Sequence, residues 1–182
     1  MNQKTPNEEL GRLDKTAFKA SDKKPIAVVL DNVRSLHNVG SVFRTCDAFL
    51  IHEILLCGVT GQPPHSEMEK TALGATETVD WKYFSKTSDA VEYLKENGWK
   101  IYAVEQTKNS VLLQDFVITK EKVAFVFGNE VYGVDQEVID QCDGVIEIPQ
   151  AGTKHSLNIA VSAGIVLWEV FKKIKKKTFL FK

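Results

Sequence analysis

Short apolar runs of strand length alternate with helical stretches along most of this sequence, and this alternation constrains the fold more than any other feature. The run IAVVL, residues 26–30, is continuously apolar, as expected of a strand that is covered on both faces. Such alternation is typical of α/β domains with a largely parallel sheet. Further strands are predicted in the segments EILLCG, TVDWKYF, KIYAVEQ, VAFVFG and GVIEI.

Three helices are indicated by the spacing of apolar residues. The first has Asn38 as its candidate N-cap and apolar residues at helical spacing as far as Phe49. The segment DAVEYLKENG predicts a second helix, which Gly98 ends. The last is predicted to begin near Ser156. It is apolar or small on nearly every side as far as Val170, which favours packing against the sheet and against a partner subunit.

The 182 residues suit one domain with short extensions. Their composition indicates where in the cell such a domain resides. The longest apolar stretch, residues 159–170, is shorter than the roughly 20 residues that cross a bilayer. Residues 1–15 contain no apolar core of a signal peptide. Cys46, Cys57 and Cys142 lie far apart without CxxC spacing, which excludes a disulfide framework and a local thiolate zinc site. We therefore expect a cytoplasmic protein with no membrane span and no metal.

Positive charge is concentrated at the two ends of the chain, although the formal net charge is only −1. Residues 1–24 carry six Lys and Arg against four acidic residues, and residues 172–182 carry six Lys and no acidic residue. The sequence thus divides into a polar N-terminal extension (1–24), one acidic domain (25–171) and a Lys-rich tail (172–182). Taken alone, a terminal lysine run is more often a solvated end than a binding site.

Polar residues cluster directly after three of the predicted strands, where open α/β sheets place their ligands. In the first segment, residues 31–47, Asn38 and Arg44 fall on the same predicted helix. A guanidinium there can bind a phosphate through two hydrogen bonds. Taken alone, an ion pair of Arg44 with Asp47 is the favoured interpretation.

The other two polar segments are FVFGNEVYGVD, residues 125–135, and IEIPQAGTKHSLNIAVSAG, residues 146–164. In the former, Gly128 would let the backbone approach a ligand, and Glu130 can accept hydrogen bonds. Neither a GxGxxG nor a Walker pattern is present, so FGNE is equally typical of an ordinary strand-to-helix turn. In the latter, Ser156 is a candidate N-cap, and the absence of a GxSxG pattern disfavours a serine nucleophile.

Together and in this order, the three segments resemble motifs 1, 2 and 3 of the SpoU (TrmH) family of RNA ribose 2'-O-methyltransferases, in the SPOUT superfamily. The matching pieces are LDNVRSLHNVGSVFRTCDAF, FVFGNEVYGV and IEIPQAGTKHSLNIAVSAGIVLWE, and the resemblance spans residues 25–171. It implies a single α/β domain with a mostly parallel sheet flanked by helices and a C-terminal trefoil knot that forms an S-adenosylmethionine pocket. It also implies a homodimer whose active site is built from both subunits across an interface that includes the last helix.

The resemblance assigns roles to individual residues. Arg44 would be the catalytic arginine, with Asn38 as its companion. Glu130 would place the arginine or the substrate, while Ser156 and Asn158 would complete the site. The motif 3 pattern commonly reads IPM, and this chain has Gln in place of that Met. Nine residues would contact the cofactor: Val104, Glu105, Gln106, Phe127, Gly128, Ile148, Pro149, Gln150 and Leu157.

The implied reaction is methyl transfer from S-adenosylmethionine to a ribose 2'-hydroxyl of structured RNA. The short extensions favour tRNA over rRNA, and the leader and the Lys-rich tail are candidate RNA contacts. Because a guanidinium stays protonated, we expect Arg44 to hold a neighbouring phosphate and stabilise charge developing on the 2'-oxygen.

Two other functions compete with methyl transfer. A knotted RNA-binding protein without catalysis is disfavoured by the intact set of site residues. A nucleotide-dependent oxidoreductase is disfavoured because DNVRSLHNVG, which follows the first strand, lacks the glycine fingerprint of dinucleotide-binding folds.

Overall fold

The computed structural model describes residues 2–118 and 122–175, and this part of the chain forms one parallel sheet. Its order is β3-β2-β1-β6-β4-β7-β5, and every adjacent pair is parallel. The predicted parallel α/β architecture is thereby confirmed. The described strands are β1 (Lys24–Asp31), β2 (Ile51–Cys57), β3 (Asp80–Phe84), β4 (Trp99–Val104), β5 (Val111–Leu112), β6 (Lys122–Phe127) and β7 (Gly144–Glu147).

Helices cover both faces of the sheet. On one face α1, α2, α3 and α6 enclose a core, and on the other face α4 and α5 enclose a second core. Two short 3₁₀ helices, Asn7–Glu9 and Ala75–Glu77, are also described. The α-helices are α1 (Lys15–Ala20), α2 (Leu36–Ala48), α3 (Ser66–Ala72), α4 (Thr87–Glu96), α5 (Gln136–Ile139) and α6 (Ile159–Lys175).

The apolar run of β1 is buried on both faces, as its sequence predicted. Ile26, Val28 and Leu30 point into the core beneath α2 and α6. Ala27 and Val29 point into the core beneath α4. All five side chains are fully buried, because successive residues of a strand face opposite sides of the sheet.

Both predicted helix caps are corrected by the structure. Ser35, not Asn38, caps α2, since the Ser35 side chain accepts a hydrogen bond from the Asn38 backbone N–H. The last helix begins at Ile159, and the cap function there belongs to Asn158 rather than to Ser156. The Asn158 Oδ1 atom accepts hydrogen bonds from the two N–H groups at positions 160 and 161, at 2.9 and 3.4 Å. Each segment contains several residues with capping side chains, and the sequence does not rank them.

The segment 58–70, which its prolines mark as a surface loop, is partly helical. Its last five residues begin α3, and the His65 Nδ1 atom accepts a hydrogen bond from the Glu67 N–H at the start of that helix. Helix α3 packs closely on α2 at Gly40. A Cβ atom at position 40 would overlap the Met68 carbonyl and the Thr71 hydroxyl, so this contact requires glycine.

Helix α6 is buried along one side only. Ala163, Val166, Leu167 and Val170 are fully buried, so the prediction that this helix packs on the sheet is confirmed. Its other side is apolar but exposed. We call the residues of that side the outer face of α6; they are Val161, Ile165 and Trp168, which are 50%, 38% and 51% exposed.

Two predictions are not tested by the described residues. Residues 176–182, most of the Lys-rich tail, lie outside them. The trefoil knot stays a prediction, since the order of paired strands does not define how the chain threads. Within 2–118 and 122–175, no helix is long and apolar enough to cross a membrane.

Candidate active site

A cavity of about 710 Å³ lies beyond the carboxyl ends of β4, β6 and β7. Three loops line it: the residues after β4, the loop 128–134 after β6, and the segment 148–158 before α6. Eight of the nine predicted cofactor-binding residues line this cavity; they are Val104, Glu105, Gln106, Phe127, Gly128, Ile148, Gln150 and Leu157. The ninth, Pro149, is exposed and is not among the lining residues.

A chain of hydrogen bonds joins polar residues from all three sequence segments at this cavity. The Asn158 Nδ2 group donates to Asn38 Oδ1 at 3.1 Å. The Asn38 Nδ2 group in turn donates to Glu130 Oε1 at 3.2 Å. These residues are 120 and 92 positions apart in sequence. The fold therefore brings together three of the five predicted catalytic residues through direct contacts.

The Glu130 carboxylate also ties the loop after β6 to the start of α2. It accepts hydrogen bonds from the N–H groups of Arg34 and Ser35, both at 3.2 Å. Partial burial alone would raise the pKa of Glu130. The hydrogen bonds from its own backbone N–H, from those two N–H groups and from the Asn38 amide together hold the pKa below its ordinary value. Glu130 is consequently an anion at neutral pH, and its structural role is to orient α2.

The loop 128–134 is folded back on itself. Asn129 and Gly133 exchange two backbone hydrogen bonds of 2.9 Å. A Cβ atom at position 128 would overlap backbone atoms of Gly133 and Val134. The requirement for glycine at position 128 thus comes from the loop's own backbone, whereas the sequence suggested close approach of a ligand.

Two carboxylates hold this loop against the sheet: Asp31, which the sequence did not assign to the site, and Glu105, which is one of the predicted cofactor residues. Asp31, which is 1% exposed, accepts hydrogen bonds from the Thr87 hydroxyl at 2.5 Å and from the Asp135 N–H at 3.2 Å. Glu105 accepts from the Val134 N–H at 3.2 Å. Glu105 was predicted to contact the cofactor through its backbone. Its side chain has the further role of fixing the cavity wall.

The segment before α6 forms the opposite wall. The Gln106 side-chain amide donates to the His155 carbonyl at 3.1 Å, which links the loop after β4 to this wall. Ser156 lines the cavity and is exposed. Its hydroxyl forms no hydrogen bond within the described part of the chain, so it is available to bond a molecule in the cavity.

Arg44 is not at this cavity. It is exposed and borders a shallow second cavity of about 470 Å³ between α2 and α3, together with Lys70 and Phe49. The ion pair with Asp47 that the sequence favoured is not formed, and Asp47 instead accepts a hydrogen bond from the Thr78 hydroxyl at 2.5 Å. Among the described residues, Arg44 has no hydrogen-bond or ion-pair partner.

Sequence reasoning missed half of the lining. The Asn129 side chain could have been inferred from its place between two glycines, since Asn commonly bonds the backbone of its own turn. No local sequence pattern marks the other residues, because only the folding of the whole chain brings them to the cavity. The residues not predicted are Thr107, Asn129, Val131, Tyr132, Gly133, Val134, Gln136, Ile139, His155, Ile159 and Ser162.

Comparison with known proteins decides the family. The model of the SpoU rRNA Methylase family matches residues 25–168. The chain belongs to the SpoU family. It is 33% identical over 144 residues to a tRNA (guanosine(18)-2'-O)-methyltransferase of Thermus thermophilus, covering 79% of this chain and 73% of that protein. The resemblance predicted from the three segments is confirmed.

Two further SpoU relatives extend the comparison. A 23S rRNA (guanosine-2'-O-)-methyltransferase of Nitrosomonas europaea is 31% identical over 84% of this chain and 58% of its own length. The crystal structure of an AdoMet-bound rRNA methyltransferase from Sinorhizobium meliloti superposes with a TM-score of 0.78 at 27% identity, over 87% of this chain and 59% of that one. The α/β fold predicted from the resemblance is therefore that of solved SpoU enzymes.

The cavity of this SpoU chain fits the cofactor that the family implies. Its volume lies within the roughly 300–1,000 Å³ usual for small-molecule sites. Apolar side chains of Phe127, Ile148 and Leu157 lie beside the amide of Gln106 and the hydroxyl of Ser156. An adenine ring with polar ribose and amino-acid ends requires this mixture. Within the described residues, no group of three His, Cys, Asp or Glu side chains is arranged to hold a metal ion.

Replacing Gly128 by Ala is expected to open the loop 128–134, because the added Cβ overlaps the backbone of Gly133 and Val134. We expect the affinity for S-adenosylmethionine, measured by calorimetry, to fall at least about tenfold and the protein to lose about 1–3 kcal/mol of stability. Gly152→Ala is the matched control, since a Cβ at position 152 meets no atom within 4 Å. Equal cofactor affinity of the two variants would contradict this role for Gly128.

Proposed function

We propose that this chain transfers a methyl group from S-adenosylmethionine to a ribose 2'-hydroxyl of structured RNA, with tRNA favoured over rRNA as substrate. The observation that carries the proposal is the hydrogen-bonded chain from Asn158 through Asn38 to Glu130 at the rim of the cavity. It joins the three segments that define the family and orients α2, which carries Arg44. A protein that only bound RNA would have no use for this arrangement beside a cofactor-sized cavity.

The cofactor is held by the walls of the cavity. Bound S-adenosylmethionine supplies an electrophilic methyl group on its sulfonium. The backbone from Val104 to Gln106 and from Ile148 to Gln150 would bind its polar groups, while Phe127 and Leu157 would contact its adenine ring. With the cofactor bound, these walls would shield it from water, and the ribose would approach its methyl group from the rim of the cavity.

Arg44 is proposed as the catalytic residue that meets the RNA. It lies six residues after Asn38 on α2, which is about 9 Å further along the helix axis. There its guanidinium would hold a phosphate next to the target ribose and stabilise negative charge on the attacking 2'-oxygen. Arginine remains protonated throughout, so it orients and stabilises without accepting the proton.

A homodimer reconciles the position of Arg44 with the cavity. Arg44 shares its shallow cavity with Phe49, whose ring lies 6.0 Å from Trp168 and 5.1 Å from Phe171. This aromatic cluster is continuous with the exposed outer face of α6. An apolar surface of this kind is typical of a subunit interface. We propose that two copies pair along it, so that Arg44 of one subunit serves the cavity of the other.

The names of the relatives support an RNA substrate without separating its classes. The Thermus thermophilus protein is named for tRNA and the Nitrosomonas europaea protein for 23S rRNA. We favour tRNA because the Thermus match covers the larger share of the relative's length. A substrate of this kind implies a cytoplasmic location.

Mapping of 2'-O-methyl nucleotides tests this function in the cell. RNA from a strain that lacks the protein is compared with RNA from the parent strain by mass spectrometry of nuclease digests. We expect one 2'-O-methylated tRNA position to be lost and to return with a plasmid copy of the gene. Loss of an rRNA position instead would reassign the substrate, and unchanged methylation in both RNA classes would contradict the function.

A further inference from the structure

The most exposed apolar side chains that border the cavity are those of Val131 and Tyr132. They are 71% and 79% exposed, and both are among the lining residues. The Tyr132 ring makes no ring contact, and its hydroxyl makes no hydrogen bond, with the residues described. Tyrosine is enriched at interfaces, because its ring offers apolar contact area while its hydroxyl stays in water.

The loop that carries Tyr132 is held rigidly, so this exposure is a fixed feature of the surface. Asn129 Oδ1 accepts hydrogen bonds from the N–H groups of Val131 at 2.8 Å and of Tyr132 at 3.3 Å. The Asn129 side-chain amide donates to the Asn32 carbonyl at 2.8 Å, which anchors the loop to the end of β1. These hydrogen bonds anchor the backbone of residues 129–132, and the Tyr132 side chain extends from this anchored loop at the rim.

We propose that Tyr132 stacks on the base attached to the ribose that is methylated. This inference rests on the proposed function, because it places the ribose at the cavity rim. Proteins that read RNA by sequence mostly bind single-stranded loops, where unstacked bases stack on aromatic side chains. An exposed tyrosine at the rim offers such a surface to the base of a nucleotide whose ribose lies there. Tyr132 is two residues from Glu130, which closes the hydrogen-bonded chain at the same rim. Stacking is tolerant of base identity, because every base has a π-face.

The test compares Tyr132→Ala with Tyr132→Phe, using as probe unfractionated tRNA from the strain that lacks the protein. For Tyr132→Ala we expect the Kd for this RNA to rise between about fivefold and a hundredfold, which is the usual effect of removing a stacking ring. Tyr132→Phe should restore binding, since it keeps the ring. RNA affinity is measured without S-adenosylmethionine, so that no effect of the substitutions on the cofactor enters it, and the dimer mass in light scattering should be the same in all three proteins.

A second arm identifies the stacked base. Once the methylated position is mapped, a transcript lacking the base at that nucleotide should bind the natural protein as weakly as normal transcript binds Tyr132→Ala. When the transcript without the base is bound to Tyr132→Ala, the Kd should rise no further than with either change alone, because both changes remove the same contact. Fully additive losses, an unchanged Kd for Tyr132→Ala, or failure of Tyr132→Phe to restore binding would overturn the inference. RNA affinity is measured without turnover, so failure of methyl transfer itself would be recognised separately.

Discussion

Replacing Arg44 by Ala is expected to lower the rate of methyl transfer by about a hundred- to a thousandfold, the usual effect of removing a group that stabilises developing charge. Cofactor affinity should stay within about twofold of the natural value, because Arg44 does not line the cavity in its own subunit. Turnover is measured with a labelled methyl donor and RNA, and cofactor binding by calorimetry. Lys95→Ala, which removes an exposed positive charge from α4 on the face of the sheet opposite α2, is the matched control.

Mixing two inactive variants tests whether Arg44 acts on the partner's cavity. A heterodimer of Arg44→Ala and Leu157→Arg subunits, the second with its cofactor cavity blocked by the larger side chain, would contain one intact site, because the natural Arg44 and the natural cavity lie on different chains. After random exchange of subunits, activity should return to about a quarter of the natural level, since half of the dimers are mixed and each has one working site. No recovery would mean that Arg44 serves its own subunit. A loss of cofactor affinity equal to the loss of turnover would remove Arg44 from the catalytic role altogether.

Replacing Trp168 by Glu should convert the protein to monomers and abolish most methyl transfer. The outer face of α6 has no cover in the single chain, with Val161, Ile165 and Trp168 at 50%, 38% and 51% exposed. A carboxylate at the centre of such an interface would have to be buried without a partner, which costs more than a small interface gains. The expected result is half the mass in light scattering and a loss of turnover of at least about tenfold. Cofactor affinity should be unchanged.

Val117→Glu is the control for this substitution, because Val117 is 78% exposed in the segment between β5 and β6, outside the helices and strands. It adds the same charge to the surface and should leave mass and turnover as they are. A Trp168→Glu protein that remains dimeric would contradict the proposed interface. A monomer with full turnover would instead show that each cavity works alone.

The sequence predicted the sheet well because a strand that is buried on both faces is continuously apolar in sequence. Five consecutive apolar residues in β1 cannot be accommodated at a half-exposed strand, and the structure buries all five. Helix starts were predicted less well. Ser35, Asn38, Ser156 and Asn158 can all cap a helix, and the choice among them depends on where the chain turns.

The sequence predicted which residues lie at the cavity better than it predicted the hydrogen bonds between them. The cofactor residues were predicted from the resemblance to the SpoU family, and eight of the nine line the cavity because they end or follow strands whose carboxyl ends lie together. The bonds between Asn158, Asn38 and Glu130 join segments about a hundred residues apart. They depend on the complete chain path. The same holds for Arg44, whose distance from the cavity became visible only once α2 was placed.

The most direct test of the central claim is the product of the reaction itself. The natural protein is incubated with tRNA from the strain that lacks the protein and with S-adenosylmethionine that carries a heavy methyl group. The RNA is then digested to nucleosides, and mass spectrometry measures the base and sugar fragments of each nucleoside separately. We expect the heavy methyl group to appear on the ribose fragment at one position, and to appear there about a hundred- to a thousandfold more slowly with Arg44→Ala. A heavy methyl group on a base fragment, or no incorporation into either tRNA or rRNA, would contradict it.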